Sequence, residues 1–160
     1  TVEEGMSGEV AVLTGCLNTG EVTGVPIIKE LMERLPEQDT VVIDCPPGSA
    51  CTVMESIRKA DFCILVAEPT LFGVHNLSMV YDLVRLFDKP FGVVLNKCLP
   101  GEDPAGQFCI EHHIKILAKI PYDKELGRLN SRGHIAARKN EQYGELFSNL
   151  LESVTREAVS

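Results

Sequence analysis

The stretch Val41-Val42-Ile43-Asp44-Cys45-Pro46-Pro47-Gly48 reads as a buried strand that ends on a carboxylate and then turns. Three β-branched residues in unbroken succession suit a strand covered on both faces, as parallel sheets require, and the Pro-Pro-Gly behind them stops it. Working outward, apolar runs of strand length recur at residues 62–67, 91–96 and 114–120, and residues 9–13 read as a first or edge strand. Between the runs the apolar period becomes helical. Ile28, Leu31, Met32 and Leu35 fall at i, i+3, i+4 and i+7, Val74, Leu77, Val80, Tyr81 and Val84 do the same, and Tyr143, Leu146, Phe147, Leu150, Leu151 and Val154 form the cleanest stripe. Such alternation predicts an α/β domain over residues 1–160, a mostly parallel sheet flanked by helices on both faces. The opening Thr-Val-Glu-Glu-Gly has no initiator Met and reads as no strand, and residues 98–105 and 123–133 read as loops.

Composition narrows the function classes. At 160 residues and 44% hydrophobic, the chain can build one core, which excludes wholesale disorder. No apolar run reaches the roughly 18 residues of a membrane span, and no signal-peptide pattern is visible, so the expectation is cytoplasmic. A formal net charge of −8 argues against a nucleic-acid module, because phosphate binding needs clustered Lys and Arg; only spots such as Arg58-Lys59 and Arg138-Lys139 break the acidic pattern. The terminal stripe reads as core packing, since Glu141, Glu145 and Glu152 on its polar face would be repelled by an anionic bilayer. Six cysteines at 16, 45, 51, 63, 98 and 109 form no C-x-x-C pair, which suits reduced thiols and disfavours a zinc knuckle.

Open parallel sheets bind ligands at the carboxyl ends of their strands, so the strand-ending residues carry the chemistry. Asp44 followed by Gly48 suits a carboxylate that holds Mg²⁺ through water and a glycine N–H that approaches a terminal phosphate; it equally suits an Asp in a Pro-Gly turn. Glu68-Pro69-Thr70 ends the next strand. Asn96, behind Val-Val-Leu, has the donor and acceptor to meet a purine edge, or to cap a turn. Pro121-Tyr122-Asp123 suits a wall against a base. His112-His113 read as a solvent-facing helix end, and His75 as a loop-stabilising side chain.

Taken in order, Val41-Val42-Ile43-Asp44-Cys45-Pro46-Pro47-Gly48, Glu68-Pro69-Thr70, Val93-Val94-Leu95-Asn96 and Ile120-Pro121-Tyr122-Asp123 resemble the MinD/ParA/Mrp class of P-loop ATPases. Gly15-x-Leu17-x-x-Gly20-Glu21, Pro46-Pro47-Gly48-x-x-Cys51 and Glu68-Pro69-Thr70-x-Phe72-Gly73-x-His75-x-Leu77 are similar to MinD-like ATPases with an inserted ferredoxin domain. The resemblance implies an ATP-binding, ATP-hydrolysing homodimer in which Asp44 acts on Mg²⁺ and its water. Gly48 would sense the γ-phosphate with Pro47 beside it, Asn96 would read adenine, and Pro121, Tyr122 and Asp123 would line the base pocket. Asn76 stands where that subgroup has Asp.

One departure is large. The Gly-Lys-Thr or Gly-Lys-Ser loop that cradles phosphate in this class occurs nowhere in the 160 residues, and Gly5-Met6-Ser7-Gly8 lacks the Lys and a following helix. The expectation is therefore a C-terminal portion whose P-loop strand and ferredoxin domain precede it, inactive alone. In the class that strand lies between the 41–44 and 62–67 strands, so these two are expected to pair directly or be bridged by a strand from elsewhere. The spacing of Cys16 and Cys51 about Asp44 is similar to that of the cluster-binding cysteines of the nitrogenase iron protein. That likeness implies a [4Fe–4S] cluster shared between two chains, set against ordinary thiols near a switch. A non-hydrolysing scaffold module is the remaining alternative.

Overall fold

The computed structural model describes residues 1–37 and 39–158, which form two compact units, Thr1–Ala60 and Asp61–Ser160. In the first, β1 (Val2–Ser7) and β2 (Val10–Gly15) make an antiparallel hairpin. Ser7 pairs with Val10, so only Gly8 and Glu9 turn the chain, and Gly8 supplies the positive φ (66°) that a primed turn demands. The Thr1 ammonium donates to the Cys16 carbonyl at 2.9 Å and the Cys16 N–H donates to the Thr1 carbonyl at 2.8 Å, closing the open end. The opening residues thus form a strand after all. Glu3, Glu4 and Gly5 hid it, because an exposed hairpin needs no apolar alternation.

Helix α1 (Val25–Glu33) follows, with a proline in its first turn, where the missing N–H costs nothing. It packs onto the end of β2 so closely that a Cβ on Gly15 would lie 2.5 Å from Ile27 Cγ2. Helix α2 (Cys51–Ile57) buries Val53, Ser56 and Ile57, and Lys59 just beyond it donates to the Met32 carbonyl at 3.2 Å.

Residues 41–44 are not a strand. A strand exists only as a member of a ladder, and in this unit the β1–β2 hairpin is the only one among the described residues. Val42 is 81% exposed rather than covered on both faces. The expected pairing or bridging between 41–44 and 62–67 is likewise not found: β3 (Cys63–Ala67) pairs with β4 (Phe91–Cys98) and with no other described strand.

The second unit is the α/β layer that the periodicity predicts. Its sheet runs β3-β4-β5, all parallel, with β5 spanning Ile116–Pro121, and it is flanked by helices. Between the strands lie α3 (Leu71–Leu86) and α4 (Pro104–Glu111), and after them α5 (Lys124–Ser131), α6 (Ala136–Lys139) and α7 (Glu141–Ala158). Central β4 has Val93 and Leu95 at 0% exposure, and Leu77 of α3 packs in the same core at 1%. Withdrawing each such side chain from water is worth about 1.5–3 kcal/mol. Edge strand β3 alternates instead, with Cys63, Leu65 and Ala67 buried and Ile64 and Val66 exposed.

Two further expectations change. Residues 124–131 are helical, not loop, because Asp123 accepts the N–H groups of Glu125 (2.7 Å) and Leu126 (3.2 Å) and so caps α5. The α7 stripe is only partly core: Tyr143 is buried, whereas Phe147 is 36% and Leu151 49% exposed.

The β3–α3 turn is the tightest joint. Thr70 Oγ1 accepts the Gly73 N–H at 2.9 Å, and a Cβ on Gly73 would lie 2.0 Å from the Glu68 carbonyl oxygen. Backbone cannot yield as a side-chain tip can. Gly73→Ala is expected to destabilise the fold by about 1–3 kcal/mol, read as a lower urea midpoint at unchanged m-value; an unchanged midpoint would refute this packing.

Candidate functional site

The parallel ladder brings the carboxyl ends of β3, β4 and β5 to one rim. Cys98 pairs with Pro121, and the Tyr122 N–H donates to the Cys98 carbonyl at 2.9 Å, so Asn96, Pro121 and Tyr122 lie on neighbouring strand ends. Leu95 pairs with Lys119 and Cys98 with Pro121, so three steps along β4 match two along β5. This is a bulge, and Asn96 and Lys97 form it. Lys97 sits in the left-handed region at φ 58°, which costs a side-chain-bearing residue about 1–2 kcal/mol. Its ammonium meets Glu68 Oε1 at 2.6 Å, joining the ends of β3 and β4. That hydrogen bond, then the Glu68 charge, raises the Lys97 pKa. Asn96, half-buried, accepts the Lys97 N–H on Oδ1 at 3.0 Å.

Pro121 and Tyr122 are exposed, Tyr122 by 51%, as a wall open to a ligand must be. Asp123 is different. Its Oδ1 caps α5 and its Oδ2 accepts the Tyr143 hydroxyl at 2.6 Å, so its carboxylate is engaged by the protein itself. The Tyr143 hydroxyl first, and the amides of Leu126 and Glu125 with it, hold the Asp123 carboxyl below the usual range. The Asp123 hydrogen bond pushes Tyr143 up to about 12. Reading Asp123 as base wall missed this structural role. Its signal was present in the sequence as an Asp ahead of Lys-Glu-Leu, a helix start.

Asp44, Pro47 and Gly48 belong to the first unit and are exposed. Gly48 has φ 93°, and nothing lies within 4 Å of where its Cβ would be, so its backbone is open to close approach. Among the described residues the Asp44 carboxylate has no hydrogen-bonded or ion-paired partner. No group of three His, Cys, Asp or Glu side chains that could hold a metal occurs among them either. A Mg²⁺ carried by nucleotide phosphates and water asks only one or two oxygens of the chain, and Asp44 fits that demand.

Among the described residues no cysteine is in a disulfide. Cys16 is half-buried behind β2, and Cys51 is exposed as the first residue of α2. The thiols of Cys45, Cys98 and Cys109 are pushed up, first by burial and then by the neighbouring carboxylates of Asp44 or Asp103, which keeps them protonated. His75 is exposed on α3, and its carbonyl accepts the Ser78 hydroxyl at 2.9 Å. His112 and His113 end α4 and are exposed, and the His112 ring also stacks on Phe108 at 4.2 Å between centroids.

The crystal structure of the Pyrococcus furiosus cell division ATPase MinD superposes with a TM-score of 0.65 at 22% identity, covering 83% of this chain and 57% of that one. The fold is MinD-like. The Aquifex aeolicus MinD cell division protein superposes at 0.62 and 16% identity, covering 82% of this chain and 59% of its own. In sequence, the septum site-determining protein MinD of Thermotoga maritima is 24% identical over 143 residues, 83% of this chain and 52% of that protein. An uncharacterised protein of Methanocaldococcus jannaschii is 23% identical over 155 residues, 96% of this chain and 53% of its own length. The chain spans about half the length of the curated relatives it matches. It matches no protein-family model. No described helix is long and apolar enough to cross a membrane.

The Asp123–Tyr143 bond sets a pH signature. A carboxyl lowered in the folded state adds stability that is present above its unfolded pKa and lost as pH falls below about 4. A phenol raised in the folded state adds stability that is full below its unfolded pKa of about 10 and lost as pH rises through about 12. Tyr143→Phe is therefore expected to lower the urea midpoint by a constant amount near neutrality, with the gap to wild type closing at both extremes. A gap independent of pH would refute the assignment.

Proposed function

We propose that this chain is the switch and adenine-pocket part of a MinD-like ATPase, completed by a Gly-Lys-Thr phosphate cradle on polypeptide outside these 160 residues. One observation carries the reading: in a MinD-like fold, Asn96, Pro121 and Tyr122 come together at the carboxyl ends of adjacent parallel strands, where open sheets take their ligands. Asn96 would meet the adenine edge, and Pro121 with Tyr122 would exclude water from one side of it. Asp44 would hold the metal through water and orient the attacking water, while Gly48, with no Cβ, lets its N–H approach the terminal phosphate. The Mg²⁺ supplies charge neutralisation at the phosphoryl oxygens. Pairing as a homodimer, cytoplasmic location and a link to a ferredoxin domain are parts of the same proposal.

The coding sequence on the 5′ side of the codon for Thr1 tests the parentage. A strand–Gly-Lys-Thr loop–helix pattern and four-cysteine ferredoxin motifs there would support it; a start codon immediately before Thr1 would overturn it in favour of a non-hydrolysing scaffold. Calorimetry of the 160-residue chain with Mg-ATP is expected to detect no micromolar binding. With the cradle segment attached, Asp44→Asn is expected to lower kcat by about 100-fold or more, and full turnover in that variant would remove Asp44 from the mechanism.

The exposure of Cys51 favours a second test, of the shared cluster. Anaerobic reconstitution should deliver four irons per dimer if Cys16 and Cys51 of two chains hold it. Iron and sulfide absent from the purified product would end that reading.

A further inference from the structure

We infer that the basic face made by α5, α6 and the turn between them is a docking surface for an acidic segment of another protein. Between residues 124 and 139 five Lys and Arg side chains stand against one carboxylate, Glu125, in a chain whose net charge is −8. The fold gathers them. Lys124 and Arg128 lie one turn apart on the exposed side of α5, away from buried Leu129. Where that helix ends, Gly133 takes φ 70°, its N–H donates to the Asn130 carbonyl at 2.9 Å, and the His134 N–H donates to the Leu129 carbonyl at 3.0 Å. This left-handed stop turns the chain just beyond Arg132. Helix α6, with Arg138 and Lys139 in its last turn, then packs against α5.

One carboxylate already shows the grip. Arg128 holds Glu125 with two arms of its fork, Nη2 donating to Oε1 at 2.6 Å and Nε to Oε2 at 2.8 Å, and the Arg132 charge acts on the same group. The face stays positive, because among the described residues Lys124, Arg132 and Lys139 have no hydrogen-bonded or ion-paired side-chain partner. Cations so crowded repel one another, and the carboxylates of a partner relieve that repulsion. The chemistry favours protein over other polyanions. Exposed Ile135 lies between Arg132 and Arg138 along the chain, and an apolar centre among arginines suits a protein interface. A nucleic-acid strand would run off this short face onto acidic surface, with Glu125 set against its phosphates. A bilayer asks for several apolar side chains to insert, and of the leucines here Leu129 is buried and Leu126 half-buried.

The experiment follows the ¹⁵N-labelled chain by NMR while a short peptide of Asp and Glu with a central Leu is added. Shifts are expected in the amides of residues 124–139, with those of Asn96 and Tyr122 at the strand-end rim unmoved. Binding is expected to weaken about fivefold between about 50 and 200 mM NaCl. Arg132→Glu with Lys139→Glu should weaken it about tenfold or more. Lys29→Glu with Arg34→Glu, the same change of net charge in the first unit, should alter it by less than about twofold. Should the Arg132 and Lys139 reversal lose its dispersed spectrum, Arg132→Gln with Lys139→Gln decides, with an expected weakening of about fourfold. An absence of shifts in α5 and α6, or equal weakening by changes in the two places, overturns the docking surface. Binding of an oligothymidylate or of phosphatidylserine vesicles at least as tight as that of the peptide overturns it too, in favour of a nucleic-acid or membrane site.

Discussion

A parallel strand has no local partner. The backbone ladder of β4 is made with residues brought from β3 and β5 through intervening helices, and two side chains along it, Val93 and Leu95, are sealed from water altogether. That ladder is the constraint on which the rest of the second unit depends. Because all three strands run one way, their carboxyl ends share a rim. Glu68, Asn96, Lys97, Pro121 and Tyr122 thereby come to neighbouring strand ends. The rim's precision is inherited from the core beneath it.

Much of this was legible in the residues. The run at 91–96 is apolar and continuous because its strand is buried, and the helical stripe at Val74, Leu77, Tyr81 and Val84 is the face that α3 turns to the sheet. The 41–44 segment has the same composition as those strands and yet forms none. Composition reports fitness for a sheet, and the ladder partner that turns fitness into structure is a non-local fact. The first strand failed in the opposite sense, since a solvated hairpin is specified by its turn, at Gly8, and hardly at all by its faces.

The candidate site was legible as a set of strand ends, and less so as a set of roles. Asn96, Pro121 and Tyr122 remain open to a ligand. Asp123 is committed to α5 and Tyr143, a use that its position before Lys-Glu-Leu announced. The Glu68–Lys97 contact was illegible, because nothing local foretells an ion pair between residues 29 apart or a lysine held at φ 58°. Strand-end motifs name the neighbourhood, and only the register says which side chains in it are already occupied.

Strand β3 has a consequence of its own. It carries no charged residue and no proline between Cys63 and Ala67, its outward face shows Ile64 and Val66 to water, and one flank is unpaired among the described strands. Sheet borders of that kind are adhesive: five uncharged residues in extended form are a template on which another chain can stack. Handling the polypeptide at high concentration therefore sets folding against self-templated assembly. A single lysine in place of Val66 is the kind of gatekeeper that would tilt the contest towards solubility.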